Sequence, residues 1–216
     1  MKDEYSVRRR RLVEQLIKEG RITSNHVKEA FLSIPREHFI PVEKGPYAYM
    51  DKPLDIGNGQ TISAPHMVAI MAEELQLKNG QKVLEIGAGS GYHAAIISKI
   101  IGPNGKVYSI ERIKSLADNA KENLAKVEIK NVEVIVSDGS RGFEEYAPYD
   151  RIYVTCAAPS VPKPLLNQLS REYGILLIPV GKMICDLKRV IKTPNDLKSE
   201  SLGGCAFVPL IGEFGF

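Results

Sequence analysis

The chain has 216 residues, 23.9 kDa in mass, with 44% hydrophobic and 25% charged residues. That is enough apolar chain to bury a core in one domain or a domain with an extension, and too much for a disordered protein. Lys and Arg number 29 against 26 Asp and Glu, and the resulting +3 is too weak a bias to indicate a nucleic-acid partner. The basic run Arg8-Arg9-Arg10-Arg11 reads as the solvated face of a helix. Cys156, Cys185 and Cys205 lack the paired spacing of a zinc site, so no metal is expected, and their odd number argues against a secreted disulfide scaffold. A charged N-terminus and the lack of any uninterrupted apolar run of membrane length lead to the expectation of a soluble, cytoplasmic protein.

In chain order, Leu12, Val13, Leu16 and Ile17 predict a helix over 5–19 that stops at Gly20. A second helix is predicted over 24–33, capped by Thr23 or Ser24, with Val27, Ala30 and Phe31 on its inner stripe. Residues 35–62 read as irregular chain fixed by Pro53, Gly57 and Gly59, lying over the main domain. Ser63 is expected to cap the next helix, with Pro65 in its first turn. The division follows as 1–62, N-terminal helices and a covering segment, and 63–216, the main domain, the two expected to pack as one compact unit.

From there strands and helices alternate. Strands are expected at 82–86, 106–110, 132–136, 151–155 and 175–179, and helices at 91–101, 113–126 and from Pro162 to about 169. That alternation gives an α/β fold, a mainly parallel, doubly wound sheet. Strands at 183–191 and 205–210, separated by the polar Thr193-Pro194-Asn195-Asp196, predict an antiparallel C-terminal edge.

The strongest local signal is Glu85-Ile86-Gly87-Ala88-Gly89-Ser90-Gly91 between a strand and a helix. Glycines there permit a tight turn and close approach of backbone to a ligand. The spacing is GxGxG with Tyr92 where a dinucleotide site has its third glycine, which argues against a nicotinamide cofactor. Glu111, at the end of the next strand, can accept hydrogen bonds from both ribose hydroxyls, and Asp138, before Gly139, sits at an edge suited to an adenine amino group. All three elements fall at the carboxyl ends of strands, where open parallel sheets bind ligands, and together they favour S-adenosyl-L-methionine.

Four stretches carry a resemblance: residues 55–68 (Asp55 to Val68, including Gln60-Thr61-Ile62-Ser63-Ala64-Pro65-His66-Met67), Val83 to Tyr92, Ala147-Pro148-Tyr149-Asp150, and Phe207-Val208-Pro209-Leu210-Ile211-Gly212. In these the chain closely resembles the protein-L-isoaspartate (D-aspartate) O-methyltransferases, from about residue 10 to its end. The resemblance implies a Rossmann-like class I methyltransferase fold with an N-terminal helical extension. It implies methyl transfer from S-adenosyl-L-methionine, leaving S-adenosyl-L-homocysteine, to the carboxylate of L-isoaspartyl residues in damaged proteins and peptides. The methyl ester then recloses to a succinimide and permits repair.

It also assigns residues. Ser63 becomes the catalytic residue, orienting the attacking carboxylate. Thr61, His66, Glu85, Gly87, Ala88, Gly89, Ser90, Gly91, Glu111, Arg112, Asp138 and Gly139 become the cofactor site. Ile62, Ser63, Val208, Pro209 and Leu210 become the substrate site, and the 45–59 segment a cover for the pocket. A monomer is expected, with isoaspartyl proteins as its partners. The chain departs from the family pattern at Ser137, at Cys156, through Lys182–Lys188 and at Phe216. Competing readings are a methyltransferase for RNA or a small molecule, a dehydrogenase, and a module that binds the nucleotide without catalysis.

Overall fold

A computed structural model describes residues 2–216. Helix α1 (Lys2–Lys18) buries Leu12, Val13 and Leu16, whereas Ile17, expected on the same stripe, is exposed. Helix α2 (Asn25–Ser33) buries Val27, Ala30 and Phe31 and is capped by Ser24, whose hydroxyl accepts from Val27 N at 3.4 Å. Segment 35–62 is more ordered than its Pro and Gly content suggested. It contains 3-10 turns at Arg36–Phe39 and Val42–Tyr47, then a hairpin of β1 (Leu54–Gly57) and β2 (Gln60–Ile62). Asn58 and Gly59 have φ of 54° and 67°, the left-handed pair that tight hairpins require.

Helix α3 (Pro65–Glu74) corrects the expected cap. Its N-cap is Ala64, with no side-chain cap bond, so the Ser63 hydroxyl is not engaged there. Asp51 meets the first turn instead, accepting from His66 N at 2.8 Å.

The main sheet alternates as expected: β3 (Lys82–Ile86), α4 (Tyr92–Ile101), β4 (Lys106–Glu111), α5 (Lys114–Lys126), β5 (Val132–Val136), β6 (Arg151–Val154), α6 (Lys163–Gln168) and β7 (Gly174–Gly181). Two further strands, β8 (Cys185–Lys192) and β9 (Leu197–Cys205), give the order β5-β4-β3-β6-β7-β8-β9, parallel up to β7 and antiparallel beyond it. The last strand is not 205–210 but Leu197–Cys205, most of whose residues are exposed on both faces. An edge strand with two wet faces carries no apolar alternation to betray it.

Alternate residues of the strands feed opposite faces. On one face Val83, Val107 and Tyr153 pack with α4 and with Leu12, Phe31 and Phe39, so the N-terminal helices share this core. On the other Leu84, Ile86, Ile152, Val154 and Leu176 form a second cluster. Successive strands step one way from β3 to β5 and then resume on its other side at β6, and that reversal opens a crevice beyond the ends of β3 and β6.

Gly91, the N-cap of α4, has φ 85°, and a Cβ there would lie 3.3 Å from Ala120 Cβ, Ala120 O and Leu124. Gly91→Ala is expected to destabilise the protein by about 1–3 kcal/mol through left-handed strain and crowding. An unchanged denaturation midpoint in urea would show that the α4–α5 contact relaxes freely.

Candidate active site

The crevice is an open cleft of about 770 Å³, mouth included, floored by the ends of β3, β4 and β6 and walled by residues 60–63 and 208–211. Its floor depends on a backbone loop held from two sides. Gly87 N and Ala88 N donate to Ile110 O at 2.8 and 3.1 Å. From β6, Thr155 N donates to Ile86 O at 2.9 Å and its hydroxyl to Gly87 O at 2.7 Å. A Cβ on Gly87, whose φ is 95°, would collide with that hydroxyl, so the loop lies this close to β6 only as glycine.

Glu111 braces the loop from β4. One carboxylate oxygen accepts from Gly89 N at 3.0 Å and the other from Ile113 N at 3.0 Å, and each retains a lone pair for a ligand. Deeper, the register sets Glu85 beside Ser109 on β4 and Tyr153 on β6, all on one face. Ser109 donates a short hydrogen bond to Glu85, while Glu85 Oε1, Tyr153 Oη and both ring nitrogens of His93 are buried without a hydrogen-bond partner. The His93 and Tyr153 rings sit 4.5 Å apart. Burial pushes the Glu85 carboxyl up to about 8, with the Ser109 bond opposing it, and drives His93 down to about 3. Cys156 also lines the cleft, and burial followed by the Glu111 charge raises its thiol far above the usual range, away from the reactive thiolate.

On the far wall, Arg36 is fully buried. Its Nη2 donates to Ser63 O at 2.9 Å, and its guanidinium lies 5.0 Å from the centre of the Tyr92 ring. That bond fixes the Ser63 backbone, while Ser63 lines the cleft and its hydroxyl has no protein hydrogen bond among the described residues. The opposite wall is the C-terminal tail. Ala157 N donates to Val208 O at 2.8 Å and Leu210 N to Ala157 O at 2.7 Å, which lays 208–210 alongside the end of β6.

Most residues singled out from sequence converge here: Thr61, Ile62, Ser63, Glu85, Gly87, Ala88, Gly89, Ser90, Glu111, Arg112, Gly139, Val208, Pro209 and Leu210 all line the cleft. Three do not. His66 Nδ1 pairs with Asp51 at 3.0 Å, Gly91 packs on α5, and the Asp138 carboxylate holds Ser140 N and Oγ at 2.9 and 2.7 Å and Glu213 N at 2.9 Å. Asp138 therefore ties the C-terminal tail to the end of β5. The cover is also narrower than expected, since the hairpin reaches the loop through Ile56, near Gly89, while Gly45 lies against Tyr5 of α1. Sequence reading missed Gln60, Val68, His93 and Thr155 as lining residues. Thr155 was within reach, because it follows the strand adjoining the glycine loop.

The residues fit S-adenosyl-L-methionine: a side-chain-free cradle at Gly87, a braced carboxylate at Glu111 and an unpartnered buried carboxyl oxygen at Glu85. Among the described residues no cluster of His, Cys, Asp or Glu suits a metal ion, and no helix is long and apolar enough to cross a membrane.

The Glu85 shift has a stability consequence with a definite sign. Unfolded, this carboxyl loses its proton near its ordinary 4.5, while folded it keeps it until about 8. The folded state thus binds the extra proton between those values. Its contribution is complete below 4.5 and is lost as pH rises toward 8. Glu85→Gln keeps the shape of the protonated acid and cannot ionise. The variant's melting temperature is expected to gain on the wild type's progressively from pH 5 to 8, and parallel curves would show that Glu85 is not held protonated.

The family model for protein-L-isoaspartate (D-aspartate) O-methyltransferase matches residues 7–215. A protein-L-isoaspartate O-methyltransferase from Methanococcus maripaludis is 54% identical over 205 residues, covering 95% of this chain and 96% of the relative. A solved protein-L-isoaspartate O-methyltransferase superposes with a TM-score of 0.86 at 33% identity, over 96% of this chain and 67% of that one. A chain from Plasmodium falciparum, described as the same enzyme in complex with S-adenosyl-L-homocysteine, gives 0.80 at 28% identity over 93% and 96%. With the family model matched over residues 7–215 and the fold shared with a solved member, the chain belongs to the protein-L-isoaspartate (D-aspartate) O-methyltransferase family.

Proposed function

We infer that this protein is an S-adenosyl-L-methionine-dependent methyltransferase that esterifies the free carboxylate of L-isoaspartyl residues in damaged proteins and peptides. The observation that carries the reading is a cleft lined by a nucleotide-sized glycine cradle, by Ser63, whose hydroxyl has no protein hydrogen bond among the described residues, and by the 208–211 tail. Membership of the repair family supports a protein carboxylate as acceptor over RNA or a small molecule. D-Aspartyl acceptors, a monomeric state and a cytoplasmic location belong to the same proposal.

When bound, the cofactor supplies an electrophilic methyl group on a sulfonium. The protein's own part is binding and alignment. Gly87, Ala88 and Gly89 offer backbone to the cofactor, Glu111 its ribose acceptor, and Glu85, with Ser109 and Tyr153 behind it, a carboxyl beneath the loop. Asp138 serves this site by anchoring the tail through Ser140 and Glu213, and Arg112 and Gly139 complete the rim.

The substrate carboxylate has a reference pKa near 4 and is ionised at neutral pH, so it brings its own nucleophile. The Ser63 hydroxyl donates to it, and the Arg36 bond to Ser63 O holds that hydroxyl in place. Positioning of this kind supplies a large share of the barrier reduction once reacting atoms are aligned and water is excluded. Val208 O and Leu210 N pair with Ala157, Leu210 O accepts from Phe216 N and Pro209 has no N–H, so on the other edge of the tail the Pro209 carbonyl is left to accept from a peptide whose side chains vary. An isoaspartyl linkage lengthens the main chain by one methylene and shortens the side chain, and backbone register tells the two apart.

The deciding experiment offers labelled S-adenosyl-L-methionine and two matched peptides, one isoaspartyl and one aspartyl. Base-labile label is expected on the isoaspartyl peptide alone. Label on neither, with cofactor binding intact, would send the acceptor elsewhere. Ser63→Ala is expected to lower kcat about tenfold, one lost hydrogen bond to a charged group, with cofactor affinity little changed. Equal turnover in both proteins would remove Ser63 from the mechanism.

A further inference from the structure

The two antiparallel edge strands bring a pair of thiols face to face. Cys185 opens β8 and Cys205 closes β9, and they are Cα partners in the ladder between the strands. Directly opposed residues on an antiparallel pair have Cα atoms about 4.5–5.5 Å apart and project to the same side. A disulfide spans Cα separations of about 4.4–6.8 Å, so the backbone already holds the spacing that the bond needs. Both thiols are free. Cys185 is buried against the sheet and Cys205 is partly exposed, which gives a reagent access to one member of the pair. Cys156, the third thiol, lies beyond β6 in the cleft.

We propose that Cys185 and Cys205 form a redox modification site, a dithiol that small-molecule disulfides close into a β8–β9 cross-strand disulfide. The Cys205 thiolate attacks one sulfur of oxidised glutathione, forming a mixed disulfide and releasing one glutathione thiolate. Cys185 gives its proton to water and attacks the Cys205 sulfur, and the second glutathione leaves as thiolate. The protein loses two protons and two electrons, and oxidised glutathione takes them up as two glutathione thiols. Burial, followed by the neighbouring Cys185 and Asp186, raises the Cys205 thiol to about 11, so closure is slow at neutral pH and faster in mild alkali.

The position gives the bond a mechanical consequence. Cys205 is followed directly by the segment whose Val208 and Leu210 pair with Ala157 on the cleft wall. Closure would staple the root of that wall to β8 and leave untouched every residue assigned to the reaction.

The test exposes the intact wild-type protein, Cys185→Ser and Cys205→Ser to oxidised glutathione in mild alkali. Samples are then alkylated under denaturing conditions, digested without reductant and weighed. The wild type is expected to yield a cross-linked pair of peptides carrying both cysteines, with Cys156 alkylated. Cys185→Ser should stop at a glutathione adduct on Cys205, and Cys205→Ser should keep its two thiols. Oxidised wild type should melt several degrees above the reduced form, a shift that dithiothreitol reverses and neither variant shows. A glutathione adduct that persists on Cys205 in the wild type, or three alkylated cysteines after prolonged exposure, would overturn the proposal.

Discussion

The cleft exists because a loop of backbone is pressed between the ends of two strands. Gly87 and Ala88 are pinned to β4 through Ile110 O, and Gly87 O is pinned to β6 through the Thr155 hydroxyl. These bonds hold the loop away from any helical or extended path and leave a shallow floor of peptide groups. The absence of a side chain at Gly87 is a steric demand imposed by Thr155, and conformational freedom alone would not explain it. Glu111 completes the arrangement by accepting from Gly89 N on one oxygen, so a residue at a ligand-facing strand end also sets the shape of the floor.

The walls have a different origin. One comes from the chain before the sheet, the other from the chain after it, and each is moored by a polar group that a helix-and-strand reading assigns no task. Arg36 is a buried cation whose surroundings are aromatic and whose hydrogen bond goes to a backbone carbonyl. Placing such a charge in a core is costly: burial holds the Arg36 guanidinium below its ordinary value, and Tyr92, Tyr49 and Asp51 offset that only in part. The result is a rigid link from the N-terminal helices to Ser63. Asp138 does the equivalent for the tail: burial opposes its ionisation, yet hydrogen bonds from Glu213 N and Ser140, with Arg141 nearby, keep its carboxyl below the ordinary value. The crowding of Gly212 against Asp138 and Ser140 shows how close that tail lies.

The parallel part of the sheet was readable from sequence because buried strands are short apolar runs between glycine-rich turns, and 82–86 and 132–136 fall where the pattern put them. What escaped was structure whose stabilising contacts are polar or distant. Leu197–Cys205 is a strand by virtue of pairing with β8, and its own residues show no alternation. The 54–62 hairpin did carry a local signal, Asn58-Gly59, which the surrounding Pro and Gly obscured. Ser63 satisfied the sequence rule for a cap, but the chain enters α3 through Ala64, and Asp51 meets the first turn from fifteen residues upstream. In the site, residues on strand ends were found where expected. Asp138 and His66 are also engaged by Glu213 and Asp51, contacts between distant parts of the chain that a sequence does not show.

The titratable groups around the floor carry the chemical argument furthest. Three side chains in the cleft have the look of acid–base or nucleophilic catalysts: Glu85, His93 and Cys156. Burial works against the charged form of each, raising the carboxyl and the thiol and lowering the imidazole. An enzyme that had to create its nucleophile would need one of them in its basic, reactive form, and burial opposes that form for the carboxyl and the thiol. A reaction whose acceptor arrives already as a carboxylate needs none, and gains from a floor that places no competing nucleophile near the electrophilic methyl. The Ser63 hydroxyl, which has no protein hydrogen bond among the described residues, is suited to orienting a charged oxygen. The electrostatics of the floor and the geometry of the walls therefore point to one division of labour, in which the substrate supplies reactivity and the protein supplies position.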